Sequence, residues 1–381
     1  MPARVRHPGR GGAVGHARPG RSRREVHAGQ AREFRRLHGR RRVSSVRRTR
    51  RADRDAGPGV ANAVNVVANA LQDRVPMLFI TGCVDEDEAA TYTHQVFDHA
   101  ALMRPITKAS LRMSAGAAQA IIDKALAIAM DDPPGPVHVD VPISVALQEV
   151  MPARGARRVP PAPVAPADTE RFQQARAWLA AARRPVIIAG VEALHHHAQA
   201  QVEALVRELR IPLITTYKGK GIVDERSDMV IGGMGLSPLA DQVVLPLVRE
   251  ADVVLLAGYD PIEMRVGWRN VWADDARVIE VSATRNTHYM HQSAISFVGD
   301  IRHSLAALGA GLAGQSQWTE GAVADIKRAI AAIYRADEEW GRPRSSMWRG
   351  RCCPRTPWPR STAARIASCC RKCGNAMNRG P

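Results

Sequence analysis

At 381 residues the chain has room for two domains of ordinary size. Residues 1–55 hold 18 arginines, no lysine and four acids, and residues 341–381 hold nine arginines and Lys372 with no acid. Those ends carry +14 and +10 of a net +17, which leaves residues 56–340 at −7, so the overall charge is no evidence of a nucleic-acid-binding body.

Taken in order, residues 1–55 show no sustained apolar periodicity and are dominated by Gly, Pro and Arg, so disorder is expected there. From Gly57 the character changes. Val60, Val64, Val67 and Leu71 recur on one helical face, and Met77–Ile80 reads as a buried strand. A second helix is predicted from Ala115 to Met130, stopped by Pro133-Pro134-Gly135-Pro136, and Val137–Val141 follows as a strand. Five prolines between residues 152 and 167 mark a stiff linker, placed at 151–170. Beyond it helices are predicted at 171–182, 200–209, 239–249 and 301–308. They alternate with strands at 185–189, 211–215, 253–257 and 278–281. Short apolar strands alternating with helices predict an α/β chain of two doubly wound parallel-sheet units, at 56–150 and 171–315, between basic, disordered ends. A helix at 316–340 precedes the basic tail at 341–381.

Cys83 alone lies in the body, whereas the other five cysteines fall in the last 30 residues. A body with one thiol reads as a reduced, cytoplasmic protein, and no apolar run reaches the roughly 20 residues that a spanning helix needs. His195-His196-His197 is a consecutive run whose members point in different directions, so no metal site is expected from it.

The sharpest local feature is Gly57-Pro58-Gly59-Val60-Ala61-Asn62. Two glycines let backbone approach a ligand, the proline fixes the entry turn, and the helix start presents free N–H groups. Read alone, an ordinary helix-start turn is the preferred account of it. Its context adds Ala68-Asn69-Ala70-Leu71-Gln72-Asp73-Arg74-Val75-Pro76, Ile80-Thr81-Gly82, Thr93-His94-Gln95-Val96-Phe97-Asp98, Pro105-Ile106-Thr107-Lys108 and Gly135–Pro142. In this order and spacing the run resembles the pyrimidine-binding domain of thiamine diphosphate enzymes, acetolactate synthases above all. The second unit, with Arg184–Gly190, Ile211–Gly221 and Gly299-Asp300-Ile301, resembles the central domain of that family.

The resemblance implies a reaction in which a 2-keto acid such as pyruvate loses carbon dioxide and its two-carbon unit passes to an acceptor. The implied cofactors are thiamine diphosphate and Mg2+. Pro58 and Asn62 would lie beside the aminopyrimidine ring. Gln95 and Phe97 would approach the active site of a partner subunit in a homodimer or tetramer, and Lys108 would lie near the substrate channel. The loop Gly258–Glu263 is more similar to flavin-free members than to the FAD-containing ones, so FAD is not expected. For Asp260 and Glu263 the preferred reading is a polar turn capping a strand.

Two family features are not found. No histidine–glutamate pair with the family context precedes Gly57, so no catalytic residue is assigned, and no Gly-Asp-Gly diphosphate-binding domain follows the central one. Both gaps coincide with the compositional breaks. The expectation is therefore a truncated or frameshifted, inactive form whose basic ends are out-of-frame translation. The alternative is a non-catalytic remnant, or a nucleic-acid binder acting through Arg-rich arms. The scarcity of aromatic residues in the N-terminal arm weighs against nucleic acid as a partner.

Overall fold

The computed structural model describes residues 50–54, 57–94, 96–149, 162–269, 271–314 and 316–334. Two parallel sheets organise them. The first contains β1 (Arg50–Arg54), β2 (Met77–Cys83), β3 (Ala109–Arg112) and β4 (Pro136–Pro142) in the order β1-β2-β4-β3. The second contains β5 (Pro185–Ala189), β6 (Leu213–Thr216), β7 (Val230–Met234), β8 (Val253–Ala257), β9 (Arg277–Ser282) and β10 (Ile295–Val298) in the order β10-β9-β8-β5-β6-β7. Every strand pair in both sheets is parallel, as the alternating pattern predicted.

The first sheet begins earlier than residue 56. Strand β1 runs from Arg50↔Met77 to Arg54↔Thr81 against β2. Ladder pairing uses backbone groups that every residue but proline carries in full, so an arginine-rich stretch joins an edge without an apolar pattern. Strands β2 and β4 are covered on both faces. Val60, Val67, Met77, Phe79 and Met103 pack on one side, and Leu78, Ala125, Val137 and Val139 on the other. The helices Val64–Gln72 and Ala118–Met130 supply these two layers.

The second sheet has the larger core. Ile187, Ile188, Leu213, Ile214, Leu255 and Leu256 are almost wholly buried, each worth about 1.5–3 kcal/mol against exposure. Side-chain caps fix where its helices start. Thr169 accepts from Phe172 N–H, Ser237 from Ala240 N–H, and Asp300 from His303 N–H. The chain runs β5-β6-β7 to one side and returns to β8 on the other side of β5. The switch point therefore lies between β5 and β8, where open sheets of this class take ligands.

The carboxyl edge of the second sheet meets the amino edge of the first. Arg74, just before β2, donates to Asp260, just after β8, from Nη2 (2.6 Å) and Nε (3.0 Å). Lys218 donates to the Gln72 carbonyl (2.7 Å) and sits 3.4 Å from Asp73. His196 Nε2 lies 3.3 Å from Asp132. A helix at Ala322–Ile333 closes the described part, and Arg328 pairs with Asp325 on it. Among the described residues no helix is long and apolar enough to cross a membrane.

Candidate functional site

The Gly57 turn stands at the carboxyl edge of the first sheet, just past β1. Gly57 takes φ 59°, ψ −117°, which a side chain would strongly disfavour. Pro58 then occupies the first position of the short helix Pro58–Ala61, where its missing N–H costs nothing. Asn62 closes that turn by donating its N–H to the Pro58 carbonyl (3.0 Å). Val60 is buried and anchors the turn, while Pro58 and Asn62 are exposed on its outer side.

A buried polar chain holds the turn from below. Gly57 N–H donates to His99 Nε2 (3.1 Å), and His99 Nδ1 lies 3.1 Å from both oxygens of Asp140. The Thr81 hydroxyl donates to Asp140 (2.7 Å), Thr81 Oγ1 is 2.6 Å from His138 Nε2, and His138 Nδ1 is 2.7 Å from Ser110 Oγ. Burial alone would raise the Asp140 carboxyl, but the hydrogen bonds from His99 and Thr81 outweigh it and hold the group below its ordinary range. Burial pushes His138 down to about 4, so its ring is neutral at pH 7.

Beside this chain opens a cleft of about 390 Å³ at the carboxyl ends of β2, β3 and β4. Cys83, Phe97, His99, Ser110, Arg112 and Asp140 are among its lining. Phe97 is 41% exposed and meets the His99 ring edge-on at 4.8 Å. Burial, reinforced by Asp140, pushes the Cys83 thiol up to about 12, so it remains a thiol rather than a nucleophile.

The residues singled out from the sequence separate into two places. Pro58, Asn62 and Phe97 share the carboxyl side of the first sheet, with His99 between the turn and the cleft. Gln95 lies outside the described residues. Lys108 stands at the amino end of β3, where its Nζ donates to the Asp131 carbonyl (2.8 Å) and its stem packs near Gly135. It stands at the edge of the first sheet opposite the cleft. His99, Asp140, Thr81, His138 and Ser110 were not singled out, although Thr81, His138 and Asp140 fall inside the quoted motifs.

At the switch point of the second sheet the strand ends close on one another. A Cβ on Gly190 would stand 2.4 Å from the Gly258 carbonyl oxygen, and one on Gly219 would stand 2.6 Å from that of Ala189. The Glu263 carboxylate accepts from Val191 N–H (3.1 Å) and from the Thr216 hydroxyl. Glu192 accepts from Ala283 N–H (3.0 Å). Burial pushes both glutamates up to about 7. An internal carboxylate thus takes the N–H that an anionic ligand would need, and a second acid lies close by. Asp260 caps Ile262 N–H (3.0 Å), the turn role expected of it, and also holds Arg74.

The pyrimidine end of thiamine diphosphate, in contrast, suits the first sheet. The glycine-proline turn lies at the surface and is fixed by a buried network beside an open cleft.

Two family models match the chain. Residues 54–102 match the family "Thiamine pyrophosphate enzyme, N-terminal TPP binding domain". Residues 172–308 match "Thiamine pyrophosphate enzyme, central domain". An acetolactate synthase of Bacillus subtilis (strain 168) is 28% identical over 248 residues, 65% of this chain and 43% of that protein. An acetolactate synthase of Arthrospira platensis is 29% identical over 263 residues, 66% and 44% of the two chains. The probable 2-ketoarginine decarboxylase AruI of Pseudomonas aeruginosa is 31% identical over 291 residues, 74% and 50%. The chain spans about half the length of the curated relatives it matches.

Proposed function

This chain belongs to the thiamine diphosphate-dependent, acetolactate synthase-like enzymes, and we propose that its first sheet holds the aminopyrimidine end of that cofactor at the Gly57–Asn62 turn. The observation that carries this reading is the turn itself, clamped at the carboxyl edge by His99 next to the 390 Å³ cleft. When bound, thiamine diphosphate supplies the electron sink that lets a 2-keto acid lose carbon dioxide. The protein binds and orients. Pro58 presets the turn, the Asn62 amide hydrogen-bonds the ring, and buried Val60 keeps both in place. Phe97 and Arg112, in the lining of the cleft, supply an aromatic face and a cation for a small 2-keto acid such as pyruvate, whose two-carbon unit passes to an acceptor. Gln95 and Phe97 serve a site shared with a partner subunit in this reading, and Lys108 acts from the opposite edge.

Equilibrium dialysis of the full chain with radiolabelled thiamine tests binding, and carbon dioxide release from pyruvate with thiamine diphosphate and Mg2+ tests turnover. Asn62→Ala is expected to weaken thiamine binding about tenfold, the worth of one neutral hydrogen bond with its partner left bare. Wild-type and Asn62→Ala chains that bind alike, or not at all, refute the assignment. A second reading, plain decarboxylation of a 2-keto acid with a guanidinium side chain, is favoured by the 31% identity to the relative named a 2-ketoarginine decarboxylase. Offering 2-ketoarginine beside pyruvate in the same assay separates the two.

A further inference from the structure

We propose that His99 is a positioning residue for the Gly57–Pro58–Gly59 turn, and that Asp140 fixes it by locking the imidazole in a single neutral tautomer. The functional weight of this rests on the pyrimidine-site reading, whereas the hydrogen-bond order does not.

That order follows from what each group can give or take. Gly57 N–H can only donate, so His99 Nε2 is the acceptor and carries no proton. The ring proton is then on Nδ1, pointed at the Asp140 carboxylate, which can only accept. From the other side the Thr81 hydroxyl spends its proton on Asp140. Thr81 Oγ1 must therefore accept from His138 Nε2–H, and His138 Nδ1 in turn accepts from the Ser110 hydroxyl. All the donors run toward one carboxylate, and no step can be reversed while Asp140 is ionised. The whole array is buried or half-buried: His99 is 4% exposed, His138 0% and Thr81 1%. Water therefore does not readily replace a lost partner.

A neutral amide at position 140 reverses the order. The Thr81 hydroxyl holds the amide oxygen of Asp140→Asn at the Oδ1 place, so an N–H takes the Oδ2 place, 3.1 Å from His99 Nδ1, which then becomes an acceptor and moves the ring proton to Nε2. Nε2–H would face Gly57 N–H, donor against donor, and the turn would be released. The change is isosteric, so packing against Phe97 and Phe79 is left alone.

The test uses the full chain with 15N-labelled histidine and glycine. In the wild type the His99 ring nitrogens should show the Nδ1–H tautomer and the Gly57 amide should exchange slowly. In Asp140→Asn the tautomer should switch to Nε2–H and Gly57 exchange should accelerate at least tenfold. Thiamine affinity should fall by about the same factor. His99→Gln, whose amide oxygen can still accept from Gly57 and whose N–H can still reach Asp140, should keep Gly57 protected, while His99→Leu should not. An unchanged tautomer and unchanged Gly57 exchange in Asp140→Asn overturn the inference. If Gly57 responds as described but no variant, wild type included, binds thiamine, the positioning role stands and the cofactor reading falls.

Discussion

Glu263 offers a measurable consequence of the closed crevice in the second sheet. Its carboxyl is 1% exposed, and burial dominates its environment, offset in part by the Thr216 hydroxyl, Val191 N–H and Lys218. The net effect raises it from 4.5 to about 7. A carboxyl raised by folding holds its proton longer in the native state than in the unfolded chain. Its contribution to stability is therefore undiminished below about pH 4.5, declines as pH rises toward 7, and is flat above that. Each pH unit of separation is worth about 1.4 kcal/mol, so the full decline is about 3 kcal/mol. Glu263→Gln removes the ionisation and keeps the shape. Urea unfolding at pH 5 to 8, followed by tryptophan fluorescence, is the assay. Of the seven tryptophans, Trp178, Trp268 and Trp272 lie in the second unit, Trp318 donates to the Pro185 carbonyl of its sheet, and the first unit has none. Relative to the wild type, the Gln variant should gain about 2–3 kcal/mol between pH 5 and pH 8. Parallel profiles for the two proteins would show that the carboxylate is ionised at no cost where it lies, and the argument that burial governs it would fail.

The joint between the two sheets should show as coupling. Arg74 and Asp260 form two short bonds with side chains 24% and 13% exposed, so an Arg74→Ala/Asp260→Ala cycle should give about 1–2 kcal/mol in urea unfolding, reduced by salt. Coupling indistinguishable from zero would mean that the pair is incidental. Gly258→Ala should cost more than about 3 kcal/mol, because φ is +58° and the new Cβ would stand 2.3 Å from Ala193 N. Gly221→Ala, at φ +84° with open space around it, should cost only about 1 kcal/mol. Equal losses would rule out steric closure as the reason for the Gly258 glycine.

What the sequence disclosed and what it concealed follow from how each element is buried. Strands β5 and β8 were legible because both faces are covered, leaving short runs with little but apolar residues such as Val186-Ile187-Ile188 and Val253-Val254-Leu255-Leu256. Strand β3 was not, since Ala109-Ser110-Leu111-Arg112 is a half-buried edge of four residues. Two glycines interrupt β7, and β10 is half open to solvent. The Gly57 turn was legible because its demand is local, one positive φ before one proline. The groups that hold it were not, since His99 and Asp140 stand 41 residues apart and are brought together only by the sheet register, which sets Thr81 opposite Asp140 and Phe79 opposite His138. Yet a signal was present. In Val137-His138-Val139-Asp140-Val141 the polar residues recur every second position. On a half-exposed sheet that pattern would mean a solvated face. Here the same strand lies between β2 and β3, and helices cover both of its faces, so His138 is wholly buried and Asp140 reaches only the edge of the cleft. They must satisfy one another, and such a stripe in a central parallel strand marks a buried network whose far end, in this chain, is the backbone of the turn.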